Sequence, residues 1–437
     1  MPYLIRTIIL KKSMFEKYTL KNNVRVILAP LESTKTVTVL VLFGVGSRYE
    51  DKHINGISHF IEHMMFKGTN RRATTLSLTK ELDAVGAAYN AYTSKEVTGY
   101  WVKISADKLD LALDIVSDML YNSKFAEKEV EREKSVICEE LHMHRDNPLI
   151  YIHDILEELV FSGSRLGWDI GGPNEVIKTL SRDDLVRFRD AHYHGKNLIV
   201  GIGGNIDAES AREKVTRFFG VPWEKGVKAN VYKPYRRSPQ EQPRIRVHYK
   251  ETEQVQVGLG FHGVSYTDAH EPANALLSSI LGGTMSSRLF IAIRERRGLC
   301  YSIGASHSSY QDTGIFSITA GLETTRVPEA LRAICTELSR IKTKGVSETE
   351  LKRAKENIKG RIALSWEDSE NVISWFVSHE HFVGKALPPE ERLKELFRVT
   401  SADIQKAAKT LFQTCNANLA VIGPYRESKE FLPLIKM

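Results

Sequence analysis

Val37-Thr38-Val39-Leu40-Val41-Leu42-Phe43 and Val255-Gln256-Val257-Gly258-Leu259-Gly260-Phe261 are two β-rich apolar runs of equal length. Each reads as a buried strand. The elements downstream of each run are also alike. After the first come helical patterns near 56–67 and 78–85 and a Thr/Tyr/Val-rich strand or hairpin over 90–104. An amphipathic helix over 109–120 and two further helical stretches lead to the strand Asn197-Leu198-Ile199-Val200-Gly201-Ile202. After the second come helical 273–281 and 289–297, strand-like 314–320, helical 328–341 and a closing strand, Asn418-Leu419-Ala420-Val421-Ile422-Gly423. Equivalent positions lie about 216–221 residues apart, which marks a long-period internal duplication. Ser181 and Ser401 are expected to open a matching pair of helices as N-caps. The fold class is therefore α+β (α/β): two tandem, structurally similar domains, 14–221 and 244–437, each a β-sheet packed by helices. Between them, 222–243 carries Pro222, Pro234, Pro239 and Pro243 among polar residues and reads as an extended linker.

Composition fits this reading. A chain of 437 residues suggests two or three domains. Its 42% hydrophobic and 26% charged residues are ordinary for a soluble globular protein. The net charge of +7 is mild. The densest basic spots, Arg294-Glu295-Arg296-Arg297 and Arg236-Arg237, are too short for a nucleic-acid footprint, so no nucleic-acid partner is expected. No apolar run approaches the roughly 18–20 residues of a membrane span, so no membrane partner is expected either. Cys138, Cys300, Cys335 and Cys415 are scattered and form no Cys-x-x-Cys pair, which fits a reducing compartment. The start, Met1 to Lys12, is apolar with basic residues, is interrupted by Arg6 and lacks a small-residue cleavage site. A cytoplasmic location is expected, with a short presequence for the mitochondrial matrix as the alternative.

The chemistry concentrates in His59-Phe60-Ile61-Glu62-His63. On a helix advancing about 100° per residue, with Ile57 at zero, Phe60, Ile61 and Met64 fall near about −60°, 40° and −20° and form a core stripe. His59, Glu62 and His63 fall near about 200°, 140° and 240°, together on the opposite face. Two imidazoles at i and i+4 can give zinc two ligands from one turn, and the intervening Glu can act as general base on a bound water. His-x-x-Glu-His inverts the commoner zinc-peptidase order.

A third ligand must come from elsewhere. The helical segment 127–145 offers Glu133, Glu139 and Glu140. With Val130 at zero, Ile137 and Leu141 lie within about 20° and mark the buried stripe. Glu133 and Glu140 lie beside that stripe, near about −60° and −80°, whereas Glu139 lies near about 180°, in solvent. The projection prefers Glu140 as ligand, with Glu133 one helical repeat behind it supporting the first turn of ligands.

These residues carry a family resemblance. Asn55-Gly56-Ile57-Ser58-His59-Phe60-Ile61-Glu62-His63-Met64-Met65-Phe66-Lys67-Gly68-Thr69 resembles the active-site segment of the pitrilysin–insulysin–mitochondrial processing peptidase family of inverzincins. Glu140 and Glu133 are spaced from it as that family's third ligand and supporting glutamate are. Asn90-Ala91-Tyr92-Thr93-Ser94 is similar to its substrate-binding edge strand, and Arg294 with Tyr301 matches its Arg/Tyr pair. The resemblance covers nearly the whole chain. It implies mixed sheets, half of a clam-shell, one Zn2+ per chain, peptide substrates bound at Asn90 and Ala91, and Arg294 and Tyr301 holding the peptide during catalysis. A homodimer closing a chamber, or a pair with a paralogue, is implied as well. In the second half Ala275, Ser278 and Ser279 replace His59, Glu62 and His63, so that half has no metal motif. The loop Gly282-Gly283-Thr284 is short, unlike the long glycine-rich loop of the non-catalytic processing-peptidase subunit. Ser164-Arg165 stands where many relatives have His-Pro. The expected activity is that of a zinc endopeptidase. One rival reading, a non-catalytic scaffold subunit of the same fold, goes with a degenerate motif, whereas every element is present here. The other, a peptide-binding subunit that retains zinc but turns nothing over, is separated from an enzyme only by an activity assay.

Overall fold

The computed structural model describes residues 14–221 and 231–437. The reading of the first twelve residues as a cytoplasmic start lies outside the described residues, as does 222–230 of the linker. The first sheet contains β1 (Glu16–Thr19), β2 (Arg25–Pro30), β3 (Thr36–Phe43), β4 (Ala88–Thr93), β5 (Thr98–Ser105) and β6 (Leu198–Gly204), ordered β1-β2-β6-β3-β5-β4. The second contains β7 (Arg244–Tyr249), β8 (Gln254–Gly263), β9 (Cys300–Ser309), β10 (Gly314–Glu323) and β11 (Asn418–Gly423), ordered β7-β11-β8-β10-β9. In each sheet one pair is parallel, β2 with β6 and β7 with β11, and the remaining pairs are antiparallel. Setting β2-β6-β3-β5-β4 against β7-β11-β8-β10-β9 shows one topology used twice. The apolar runs that open each half are central strands, buried because helices cover both faces.

One helix-bearing face of each sheet is covered from within its own half. Against the first sheet, the apolar stripe of helix Ile57–Met65 joins those of Leu109–Asn122 and Glu127–Asp146 in one core. The opposite faces are covered by exchange. Helix Pro148–Val160 sends Ile152, Leu156 and Val160 into a core with Ile315, Ala420 and Ile422 of the second sheet. Helix Ser369–Phe382 sends Ile373, Phe376 and Val377 into a core with Ile27, Leu40 and Ile199 of the first. The two helices occupy equivalent places in the duplication, so the exchange is reciprocal.

Glycines on the central strands let these helices approach closely. A Cβ at Gly201 would lie 2.5 Å from Val377 Cγ2 and 2.6 Å from Ile373 Cγ1, and one at Gly260 would lie 2.9 Å from Leu156 Cδ1. Ile373 is fully buried against this surface. Ile373→Ala should cost about 2–5 kcal/mol, because the strands beneath cannot collapse into the gap. A denaturant titration checks this, and a midpoint shift under a few tenths of a molar would show that the contact is not sealed.

Two local expectations change. The second helix of the Ser181/Ser401 pair is capped by Thr400, not Ser401. Thr400 Oγ1 accepts from Asp403 N–H and Asp403 reaches back to Thr400 N–H, while the Ser401 hydroxyl donates to Glu348. The first helix has Ser181 as its cap, paired with Asp184. The segment expected to be helical over 289–297 is a π-helix at Phe290–Glu295, with Arg296 N–H reaching back five residues to Ile291 C=O. A 3.6-residue period cannot reveal one extra residue in a turn.

Candidate metal centre and active site

Helix Ile57–Met65 begins without a side-chain cap of its own. Its N-cap, Gly56, has φ +99°, and a Cβ there would lie 2.4 Å from Gly171 C=O, so the turn requires glycine. The unpaired N–H groups of the first turn are met by Glu50, a fully buried carboxylate that accepts from Gly56 N–H at 2.7 Å and Ser58 N–H at 2.9 Å. Asn55 Nδ2 donates to the same group at 2.8 Å. Burial pushes the Glu50 pKa up against the pull of these hydrogen bonds. Ile57, Phe60, Ile61 and Met64 are fully buried, which turns His59, Glu62 and His63 to the open side.

Helix Glu127–Asp146 brings its carboxylates to that side. His59 Nε2 and His63 Nε2 are 3.2 Å apart. Glu140 lies 3.3 Å from His63 Nε2 through Oε2 and 3.8 Å from His59 Nε2 through Oε1. Among the described residues, these three form the one His/Cys/Asp/Glu group with ligand atoms close enough to hold a metal ion. Zinc at about 2.0–2.1 Å from tetrahedral ligands sets those ligands about 3.3–3.4 Å apart. The observed spacing and the donor set of two imidazoles and a carboxylate both fit zinc. Glu139 points away, its side chain 80% exposed against 31% for Glu140.

Glu133 is 2% exposed and lies 2.9 Å from His63 Nδ1, so that a proton held there by Glu133 would leave Nε2 to face a metal as its ligand atom. Lys67 Nζ, at 2.6 Å, pairs with the other Glu133 oxygen and helps keep its pKa below the usual range, against its burial. Burial pushes His63 down, but the hydrogen bonds to Glu133 and Glu140 outweigh it and lift its pKa to about 9. Burial, together with the neighbouring His63, lowers His59 to about 4. Glu62 is raised by burial, against a hydrogen bond donated by Thr93 Oγ1 to its Oε2 at 2.6 Å.

Thr93 ends β4, the exposed edge of the first sheet, so the strand that carries Asn90 and Ala91 also anchors Glu62. Asn90 Oδ1 accepts from Ala91 N–H at 2.9 Å. Arg294 and Tyr301 meet at β9, the corresponding edge of the second sheet, with the guanidinium 5.3 Å from the ring centroid and Tyr301 73% exposed. No hydrogen bond, ion pair or ring contact among the described residues joins them to the His59 cluster. Glu50, Lys67 and Thr93 escape a sequence reading because each acts through a partner distant in sequence or outside a helical repeat.

The model described as Insulinase (Peptidase family M16) matches residues 25–174, and that described as Peptidase M16 inactive domain matches 179–358. An uncharacterized zinc protease of Bacillus subtilis is 34% identical over 411 residues, which are 94% of this chain and 98% of that protein. The chain belongs to peptidase family M16. Another M16 relative, an uncharacterized zinc protease of Rickettsia bellii, is 33% identical over 94% of this chain and 98% of its own length. A protease from Helicobacter pylori has the same fold, with a TM-score of 0.88 at 24% identity, over 94% of this chain and 99% of that one. The periplasmic protease PqqL from Escherichia coli superposes with a TM-score of 0.80 at 20% identity over 97% of this chain but only 50% of its own. The fold is thus the M16 half clam-shell, two mixed sheets packed by helices. The inactive-domain match spans the helix where Ala275, Ser278 and Ser279 stand in place of a metal motif. Among the described residues, no helix is long and apolar enough to cross a membrane.

Proposed function

We propose that this chain is a zinc endopeptidase in which His59, His63 and Glu140 hold one metal ion and Glu62 is the general base. The reading rests on the convergence of those three side chains, at 3.2, 3.3 and 3.8 Å, on the helix face that also carries Glu62. The relatives' names as zinc proteases support it. Zinc bound there supplies a Lewis acid that polarises the scissile carbonyl and acidifies the attacking water. Glu62 takes the water's proton and returns it to the leaving amine. Thr93 holds Glu62 in place, and Glu133 with Lys67 fixes the His63 ring. The free edge of β4 receives an extended peptide as an added strand, with Asn90 and Ala91 alongside it. Residues 14–221 form the metal-bearing domain and 244–437 a homologous domain, in which Arg294 and Tyr301 grip the substrate. Two chains close a chamber that admits peptides and short unfolded segments but not folded proteins.

The experiment that tests this is metal analysis with turnover of a quenched peptide library, before and after chelation. About one zinc per chain is expected, because among the described residues the one group of candidate ligands lies in the first half. Turnover should vanish on chelation and return with zinc; metal-bearing protein that cleaves no peptide would leave the chain a binding or scaffold subunit.

The choice of Glu140 over its neighbour has its own check. Glu140→Gln should weaken zinc affinity by about 10–100-fold or more, since a neutral amide oxygen is a poorer ligand than a carboxylate. Glu139→Gln should change little. Competition with a chromophoric chelator reads both, and the reverse order would remove Glu140 from the site.

A further inference from the structure

The segment that carries Arg294 forms one wall of a second cavity. Ile291, Ala292 and Arg296 line a 420 Å3 hollow against helices Val327–Lys344 and Glu348–Ser365. Five cations face it, Arg288, Arg296, Arg340, Lys344 and Arg353, against two carboxylates, Glu337 and Glu350. Both carboxylates are already engaged. Glu350 binds Arg288 in a fork at 2.8 and 3.0 Å and also caps its own helix, contacts that hold its pKa near about 2. Glu337 pairs with Arg340 at 2.6 Å. Arg296, Lys344 and Arg353 have no carboxylate partner among the described residues; Arg353 reaches only the Ser286 carbonyl, at 3.2 Å. The lining therefore carries an excess of positive charge.

Independently, Ser287 lines the same cavity, is 2% exposed, and its hydroxyl has no hydrogen-bond partner. A buried hydroxyl left unpaired in a native structure calls for an explanation. Here it adds a donor to a wall that already holds an excess of donors and positive charge. An anion with several acceptor oxygens complements such a wall.

We propose that this cavity binds a small polyphosphate, with phosphate oxygens accepting from Arg296, Lys344, Arg353 and the Ser287 hydroxyl. Guanidinium groups match phosphate oxygens in geometry as well as charge. The hollow falls within the size range of small-ligand sites. No aromatic ring lines it, so the phosphate chain is recognised and a nucleoside base is not. The cations converge on one hollow instead of following a stripe, which favours a small solute over a nucleic-acid backbone. The site does not depend on the peptidase reading.

The test is calorimetric titration of inorganic triphosphate into the full chain at low ionic strength. Saturable binding is expected, weakened about tenfold or more in the Arg296→Ala/Lys344→Ala double variant, because two charge-assisted contacts are lost. Ser287→Ala should weaken it less, and both variants should keep the wild-type unfolding midpoint. ATP should bind about as tightly as triphosphate. Triphosphate also chelates metals, but these substitutions leave the His59 cluster intact, so only the difference between variants counts. No saturable binding up to millimolar concentration, or equal affinity in wild type and double variant, would overturn the proposal. So would binding to anionic phospholipid vesicles or nucleic acid with no binding of free triphosphate.

Discussion

Glu62→Gln is expected to keep its zinc and lose about 10²–10⁴-fold in kcat, the usual contribution of a positioned general base. The substitution preserves side-chain shape. The Thr93 hydroxyl, 2.6 Å from Glu62 Oε2, can donate to the amide oxygen as it does to the carboxylate. His59, His63 and Glu140 are untouched, so metal affinity should barely move. What is lost is the ability to accept a proton at neutral pH, which an amide lacks. Metal analysis and turnover on the same preparation separate the outcomes. A variant with full zinc and near-normal turnover would remove Glu62 from the chemistry; one that loses its zinc would place Glu62 on the metal.

Mixed dimers should regain activity that neither parent has. The His59 cluster stands by edge strand β4, and Arg294 with Tyr301 stands by edge strand β9, with no described contact between the two groups. If the site is completed across two half-shells, the cluster of one chain faces the Arg294/Tyr301 pair of the other. Glu62→Gln lacks the base. Arg294→Ala with Tyr301→Phe lacks the grip. In a dimer of one chain of each kind, one site carries both lesions and the other carries neither. Activity per mixed dimer should rise from near zero to at most about half that of the wild type, as two-fold symmetry dictates. The chains should be co-expressed with different tags and purified through both. Mixed dimers as inactive as their parents would mean that the site is built within one chain, or that Arg294 and Tyr301 do not serve it.

Much of the fold and the site was legible in the sequence where a feature depends on the period of one element. The 100° projection separated Ile57, Phe60 and Ile61 from His59, Glu62 and His63, and the structure buries the first group and opens the second. The same projection distinguished Glu140 from Glu139. The duplication was visible because two halves with the same topology keep the same spacing. Contacts between elements were not legible. Glu50 meets the first turn of helix Ile57–Met65 from outside it, and Thr93 reaches Glu62 from a strand. Thr400 and Ser401, two hydroxyl residues in succession, offer the same cap signal in the sequence, and it is Thr400 that caps the helix. The π-turn at Arg294 leaves its residues helical in composition. A helical period identifies an apolar face and not what covers it, so the seating of Pro148–Val160 on the second sheet was not legible either.

The exchanged helices bear on the history of the chain. Each sheet has one face covered by a helix from the other half, and the arrangement is reciprocal. A polypeptide of half this length, folding alone, would leave Ile152, Leu156 and Val160 in water and a glycine-lined sheet face bare. It would find both partners in a copy of itself. Joining the two halves in one polypeptide makes this reciprocal pairing intramolecular, so it does not depend on protein concentration as a pairing of separate halves would.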